Sequence, residues 1–275
     1  MSYNITSLIV TPKEVPSYYK RLSICVKPNG FSFSRMTTQG VILTFCEVEM
    51  NMNRSISELS DDLKGFFVEQ HISPFDFEEM RLVVVSDHVV WIPQHLFAEG
   101  HEREYLESAC SLETGMVPLS FYHEAVGAYS VFDASSNVVT SFRIVMPGID
   151  VCCQHAALLS PTLLQASQHN PLILLHQRSG RCDFEVCNEG KLIMSNTYSV
   201  RSDEERLYRA LQLMKTFELE NDNFVLLISG EVDRDAYTSL QGFFPRIMLY
   251  NGSPLRFINP DFRQLHCYRH ILSLS

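Results

Sequence analysis

Three short stretches hold residues whose types and placement can support phosphate or cation chemistry. Asn29-Gly30 and Ser179-Gly180 each lie between two strand-like runs, where the amides of a tight turn can face an anion. Gly230-Glu231 follows Val225-Leu226-Leu227-Ile228, where glycine admits a close backbone approach and a carboxylate can serve a cation. Hairpins favour glycine for their own geometry, so glycine pairs alone are a weak signal. His266 and His270, with Cys267 between them, are spaced to share one helix face as two imidazole ligands, but no third ligand accompanies them. Asp203, Glu204 and Glu205 form an acidic run whose place in the first turn of a helix explains it through the helix dipole. Arg201 and Arg206 beside them read as solvated partners. His155, His169 and His176 have no companion spacing and read as hydrogen-bonded or exposed, and Trp91 in an apolar strand reads as core.

The elements that must position these residues follow one plan twice. In the second half, Leu172–Gln177, Arg181–Cys187 and Lys191–Val200 read as a three-stranded meander. A helix over Ser202–Leu219 and a very apolar strand over Phe224–Ser229 follow. An earlier copy runs through Leu22–Lys27, Phe31–Met36 and Val41–Val48, a helix opening at Ser55, and the β-branched strand Arg81–Ser86. Gly30 and Gly180, and likewise Gly40 and Gly190, fall 150 positions apart as matching turn residues. Ser55-Ile56-Ser57-Glu58 has capping-box spacing, and Ser202-Asp203-Glu204-Glu205 repeats it 147 positions later. On the second helix Leu207, Leu211 and Met214 share a face and are expected to be core. Between the copies the sequence predicts a strand at Val89–Ile92, a helix from Gln94 to Ala109 loosened near Gly100 and a strand at Ala128–Phe132. A helix over Ser136–Met146, a strand over Asp150–His155 and a helix over Ala157–Gln168 follow. An edge strand over Ser7–Val10, a helix over Ala236–Phe243, a strand over Arg246–Tyr250 and a terminal helix from Asp261 complete the reading. Domains of 1–169 and 170–275 are expected.

At 275 residues, 45% hydrophobic and 20% charged, the chain has an ordinary globular composition with ample core. A net charge of −10 without a basic cluster argues against a nucleic-acid surface. No apolar run approaches the ~20 residues of a membrane helix, and the N-terminus MSYNITSLIVTPKEV has no signal-peptide pattern. Eight cysteines without CxxC spacing read as reduced, mostly buried thiols of a cytoplasmic protein.

Meander, helix, central strand, helix and strand, occurring twice, is the plan of the actin-like and ribonuclease-H-like superfolds. The stretch NTYSVRSDEERLYRALQLMKTFELENDNFVLLISGEV, with the hairpin GRCDFEVCNEGKLIMSN before it, resembles an uncharacterised bacterial family known only as a domain of unknown function. Its recurring features match Asn196-Thr197-Tyr198, the capped helix from Asp203 to Tyr208, and Gly230-Glu231, with a weaker likeness through VVWIPQHLF. The resemblance implies a duplicated α/β actin-like ATPase fold, similar to the actin-like proteins of cell division and pilus assembly, and no established activity.

An ATPase of that fold needs an aspartate at the first hairpin of each half to organise magnesium. Here the hairpins read Val26-Lys27-Pro28-Asn29-Gly30 and His176-Gln177-Arg178-Ser179-Gly180, without an acid, and Pro28 also lacks an amide donor. Asn29, Gly30, Ser179, Gly180, Gly230 and Glu231 are therefore expected to line a vestigial nucleotide cleft, with no metal ligand and no catalytic residue. A two-metal nuclease is disfavoured, since Leu22–Lys27 and Leu172–Gln177 hold no carboxylate. Two functions remain: a catalytically silent protein that binds another protein, or a divergent ATP–magnesium ATPase or phosphotransferase whose acid comes from Asp183, Asp87 or Glu231.

Overall fold

The computed structural model describes residues 3–10, 21–37, 41–169, 171–219, 223–250 and 269–274. Among these, one compact unit holds the chain up to Ala156 together with 272–274, and a second holds 157–250 with 269–271.

The first unit runs β1 (Tyr3–Val10), β2 (Arg21–Lys27), β3 (Gly30–Met36), β4 (Ile42–Met50), α1 (Ile56–Glu69) and β5 (Glu79–Val84). It continues with β6 (Val89–Pro93), α2 (Glu102–Glu107), β7 (Met116–His123), β8 (Ala128–Ser135), α3 (Ser136–Val145) and β9 (Asp150–Cys153), and α4 (Gln154–Ala166) follows. The second unit continues with β10 (Leu172–Arg178), β11 (Arg181–Asn188), β12 (Lys191–Ser199), α5 (Asp203–Thr216), β13 (Val225–Gly230), α6 (Arg234–Gln241) and β14 (Ile247–Leu249).

The first sheet has the order β1-β4-β3-β2-β5-β9 and the second β12-β11-β10-β13-β14. Leaving β1 aside, the two are one topology. In each, the meander is antiparallel, its first strand pairs in parallel with the central strand, and that strand pairs in parallel with the last. Between β5 and α3 the first unit carries an extra antiparallel sheet, β6-β8-β7. Its strand β7 has no counterpart in the sequence reading, because Pro118 and the polar ends of the run mask the alternation. The long helix expected from Gln94 is instead a 3₁₀ turn at Gln94–Leu96 and the single short helix α2, interrupted at Gly100, whose φ is +86°.

Local signals fix the helices. Ser55 makes the full capping box with Glu58. Ser202 accepts from the Glu205 amide, while the Glu205 carboxylate takes the Arg201 amide. Both helices are 14 residues long. The core of the first unit is aromatic, with Phe66 edge-on to Phe31 at 5.3 Å and Phe142 edge-on to Phe31 at 5.9 Å. The second core is more aliphatic, packing Ile173, Leu175, Phe184, Leu226 and Ile228 under α5 and α6.

Two expectations are corrected here. The buried line of α5 is Arg206, Ala210 and Leu213, whereas Leu207, Leu211 and Met214 form a half-buried flank packed against that core. The apolar stripe therefore lies to one side of the buried direction, and Arg206, read as solvated, is buried and ion-paired to Asp203 at 2.8 Å. The glycine matching also slips by one residue. Lys27 closes its hairpin opposite Gly30, and Arg178 closes the other opposite Arg181, so Gly30 corresponds to Arg181 and not to the turn residue Gly180. Gly30 is required because a Cβ there would lie 2.0 Å from the Val48 carbonyl oxygen, whereas Gly180 has open space and a φ of +67°. Gly40, His266, Cys267 and the first part of the expected terminal helix, 261–268, lie outside the described residues, and what is described of its end is a 3₁₀ turn at Ile271–Ser273.

These positions set an order of stability effects. Leu213→Ala should cost about 2–5 kcal/mol, as truncation of a buried leucine does. Leu211→Ala should cost clearly less. Denaturant titrations of the two variants check the order.

Candidate functional site

In the second unit, β10 and β13 run side by side until Gln177 faces Gly230. There the Glu231 amide donates to the Gln177 carbonyl at 2.8 Å. The carboxyl ends of the two strands thus bring Ser179-Gly180 and Gly230-Glu231 to one end of the sheet, where α/β folds place their sites. Gly230 answers to its neighbour strand: a Cβ would come 2.0 Å from the Gln177 carbonyl oxygen, at a φ of +88°. Glu231 is exposed. Asn29 and Gly30 occupy the β2–β3 turn of the first unit. Asn29 lines a shallow groove of about 540 Å³ with Tyr3, Asn4, Glu49 and Asn51, and its carbonyl accepts from the Met50 amide at 3.0 Å.

Behind the second hairpin a polar row crosses the sheet. Register sets Thr197 beside Asp183, Asp183 beside His176, and His176 beside Ser229. Asp183 has 0% of its side chain exposed and is clamped by Arg178, whose Nε and Nη2 donate at 2.7 and 2.9 Å; the Thr197 hydroxyl adds a bond of 2.6 Å. His176 meets the Ser229 hydroxyl at 2.9 Å, consistent with a hydrogen-bonded histidine.

The first unit repeats the arrangement with the parts exchanged. Lys27, at the end of β2 as Arg178 is at the end of β10, forms its ion pair with Glu47. Ser32 faces Glu47 across the ladder, as Asp183 faces Thr197. Each half therefore has a cation at the carboxyl end of its first strand, held by an acid on the third strand of the meander in the first unit and on the second strand in the other.

A cluster the sequence did not reveal lies after β5. The Ser86 hydroxyl donates to Asp133 Oδ1 at 2.5 Å, and His88 Nδ1 meets Asp133 Oδ2 at 3.0 Å. The Gln154 side chain bonds both the amide and the carbonyl of Ser86, at 2.9 and 2.6 Å. Asp133 is buried and His88 is 38% exposed. Although serine, histidine and aspartate are assembled, the serine hydroxyl faces the Asp133 carboxylate and the backbone carbonyl of His88, at 2.5 and 2.8 Å, and makes no bond to the His88 ring. The set therefore pins the β5 exit to β8 and α4 and does not activate a nucleophile. Its members come from residues 86, 88, 133 and 154, with no spacing to betray them. Asp87 is exposed beside it.

Other sequence-predicted residues are placed plainly. Trp91 is half-buried, its ring 4.7 Å from His123, rather than core. His155 is fully buried. The seven described cysteines are unbridged, and burial pushes the Cys182 thiol up to about 11. Among the described residues no group of three histidine, cysteine, aspartate or glutamate side chains is placed to hold a metal. No helix of the described residues is long and apolar enough to cross a membrane.

Comparison with known proteins places the whole chain. The family model described as protein of unknown function (DUF3822) matches residues 13–247. The chain belongs to the DUF3822 family. A Bacteroides thetaiotaomicron protein with an actin-like ATPase fold and unknown function superposes with a TM-score of 0.70 at 18% identity, over 90% of this chain and 96% of that one. PilM, in the PilM–PilN type IV pilus biogenesis complex, superposes with a TM-score of 0.63 at 9% identity, over 94% and 97%. None of the curated proteins matches the sequence. The DUF3822 chain thus has the actin-like ATPase fold, in its mixed α/β, ribonuclease-H-like form.

Two predictions follow from the buried polar groups. Arg178→Ala leaves the Asp183 carboxylate buried without its cation and should cost about 3–5 kcal/mol. The double variant Arg178→Met/Asp183→Leu should recover most of that loss in the same urea titration. His123 is held to about 4, first by burial and then by the charges of Arg81 and His155. Above pH 6.5 it is neutral folded and unfolded; below, the unfolded chain takes a proton that the folded one refuses. Stability should therefore fall between pH 6.5 and 4 by up to about 3 kcal/mol from this group. His123→Gln should flatten that part of the profile in urea titrations at pH 7, 5.5 and 4.5.

Proposed function

We propose that this DUF3822 protein is a catalytically silent member of the actin-like fold that acts in the cytoplasm by binding another protein. The observation that carries this reading is the pair of cations, Lys27 and Arg178, at the carboxyl ends of the first strands. A magnesium–nucleotide of this fold calls for a carboxylate at each hairpin, so the residues present do not fit that group. The nearest acids, Glu47 and Asp183, already pair with those cations, Asp183 fully buried and Glu47 partly exposed. Pro28 subtracts a donor from the first turn, and Gly230 is accounted for by the Gln177 backbone. In place of a metal centre, the ends of both meanders are closed by structural ion pairs. The structural likeness to PilM, which is known in a complex with PilN, supports a protein partner, and the net charge of −10 favours that over nucleic acid.

The second reading, a divergent ATPase or phosphotransferase, rests on Asp87 and Glu231, which are exposed near the ends of the two central strands. One experiment separates the two. A ligand at 100 times its dissociation constant adds about 2.7 kcal/mol of stability, which is several degrees of melting temperature for a chain of this size. Millimolar magnesium–ATP should leave the melting temperature unchanged within about a degree, and no phosphate release above background is expected. Stabilisation by several degrees, or turnover that Glu231→Ala or Asp87→Ala abolishes, would overturn the silent reading.

A further inference from the structure

We propose that the outer edge of β12 is the docking site for an extended segment of a partner protein, which adds as an antiparallel strand. The inference rests on the protein-binding reading above and names its surface.

The chain itself supplies the template. β4 and β12 hold the same place, last in the meander of each half. β4 is covered by β1, which pairs antiparallel from Tyr3 opposite Met50 to Val10 opposite Thr44. Alternate residues of β1 face inward: Tyr3 packs edge-on to Phe66 at 5.1 Å and its hydroxyl bonds Glu69, while Asn4, Thr6 and Leu8 are exposed. Among the described residues β12 pairs only with β11, and none of them takes on β12 the place that β1 takes on β4.

That edge is only lightly protected. Over nine residues, KLIMSNTYS, its only charge is Lys191 and it contains no proline. Its one irregularity is a bulge that makes Ile193 the extra residue, and this side chain is 43% exposed. The Val200 amide donates inward to the Gly180 carbonyl at 3.0 Å, so alternation aims the amides of Ser199, Thr197 and Ser195 outward. The Thr197 amide takes its own neighbour's side chain, Asn196 Oδ1, at 2.9 Å, a bond that an incoming strand's carbonyl can replace. Beside the edge, Tyr198 and Met194 are only partly buried and Arg209 lies over the Tyr198 ring at 5.1 Å. An added strand with apolar residues at alternate positions would complete this packing, as Tyr3 does on Phe66.

An extended segment fits better than a second folded copy. Nine residues at about 3.3 Å each give an edge of about 30 Å, a ribbon well short of the ~800 Å² per partner that two folded chains need. A single strand needs no more than the ladder and its alternate pockets.

The test uses the full chain and a peptide of the β1 sequence, YNITSLIV, with a terminal dilysine for solubility. Amide hydrogen exchange should slow at least tenfold over residues 191–199 when the peptide is added. Ile193→Lys, which puts a charge on the edge, and Ser195→Pro, which removes an outward amide, should each abolish the protection while the melting temperature stays near that of the parent. Protection absent from 191–199, confined to 42–50 where β1 already sits, or retained in both variants would overturn the proposal. So would a dimer in sedimentation that Ile193→Lys dissolves, because the occupant would then be a second copy. If the edge fails while magnesium–ATP still leaves the melt unchanged, the protein-binding reading stands and only its surface is wrong. A stabilising nucleotide would remove that reading whatever the peptide does.

Discussion

The register between β10 and β13 governs the second half. It is set where Gly230 meets Gln177 so closely that a Cβ on one would strike the carbonyl of the other. From that contact the pairing runs back through Ser229 with His176 to Val225 with Leu172. A slip of one residue would exchange the two faces of β13, setting Leu226 and Ile228 on the polar side and breaking the His176–Ser229 bond. β10 also carries the hairpin, whose own register with β11 aligns Asp183 with His176 and so delivers the carboxylate to Arg178. The two alignments meet on β10, where His176 joins Ser229 on one side to Asp183 on the other while the apolar core packs on the opposite face.

Much of this was legible because the strands signal themselves by period and the turns by residue type. The meanders, the capped helices beginning after Ser55 and Ser202, and both central strands appear where the apolar runs and capping spacings predict them. What escaped has a common cause. The apolar stripe of α5 suggests Leu207, Leu211 and Met214 as core, but Arg206 occupies the true inner line by reaching Asp203, and hydrophobicity cannot announce a buried arginine. The glycine register misled for a similar reason: glycine serves strand crowding at Gly30 and turn geometry at Gly180, and the letter is the same. The Ser86–Asp133–His88–Gln154 cluster is assembled by three different elements, so it exists only in the folded chain.

The six candidate residues divide in the same way. Ser179, Gly180, Gly230 and Glu231 read as turn and strand-end residues, and the fold gathers them at one end of one sheet. Their chemistry depends on what stands beside them, and that is settled by ladder register rather than by local spacing. Lys27 reaches Glu47 on the far strand of its meander, while Arg178 finds Asp183 on the near one. With Ser32 and Asp183 in one position of the halves, and Glu47 and Thr197 in the other, acid and hydroxyl have changed places while the cation has kept its own.

That exchange argues for what is being preserved. A carboxylate kept for magnesium has a fixed place, because the metal's oxygen ligands must converge on one point with near-ideal geometry. A carboxylate that only neutralises a neighbouring cation can come from either adjoining strand, provided the charge is buried with a partner. The two halves take the acid from different strands: Asp183 is fully buried with Arg178, while Glu47 and Lys27 form a partly exposed pair. The constraint common to both meanders is thus an electrostatic one, a cation at the end of the first strand that its own sheet must satisfy.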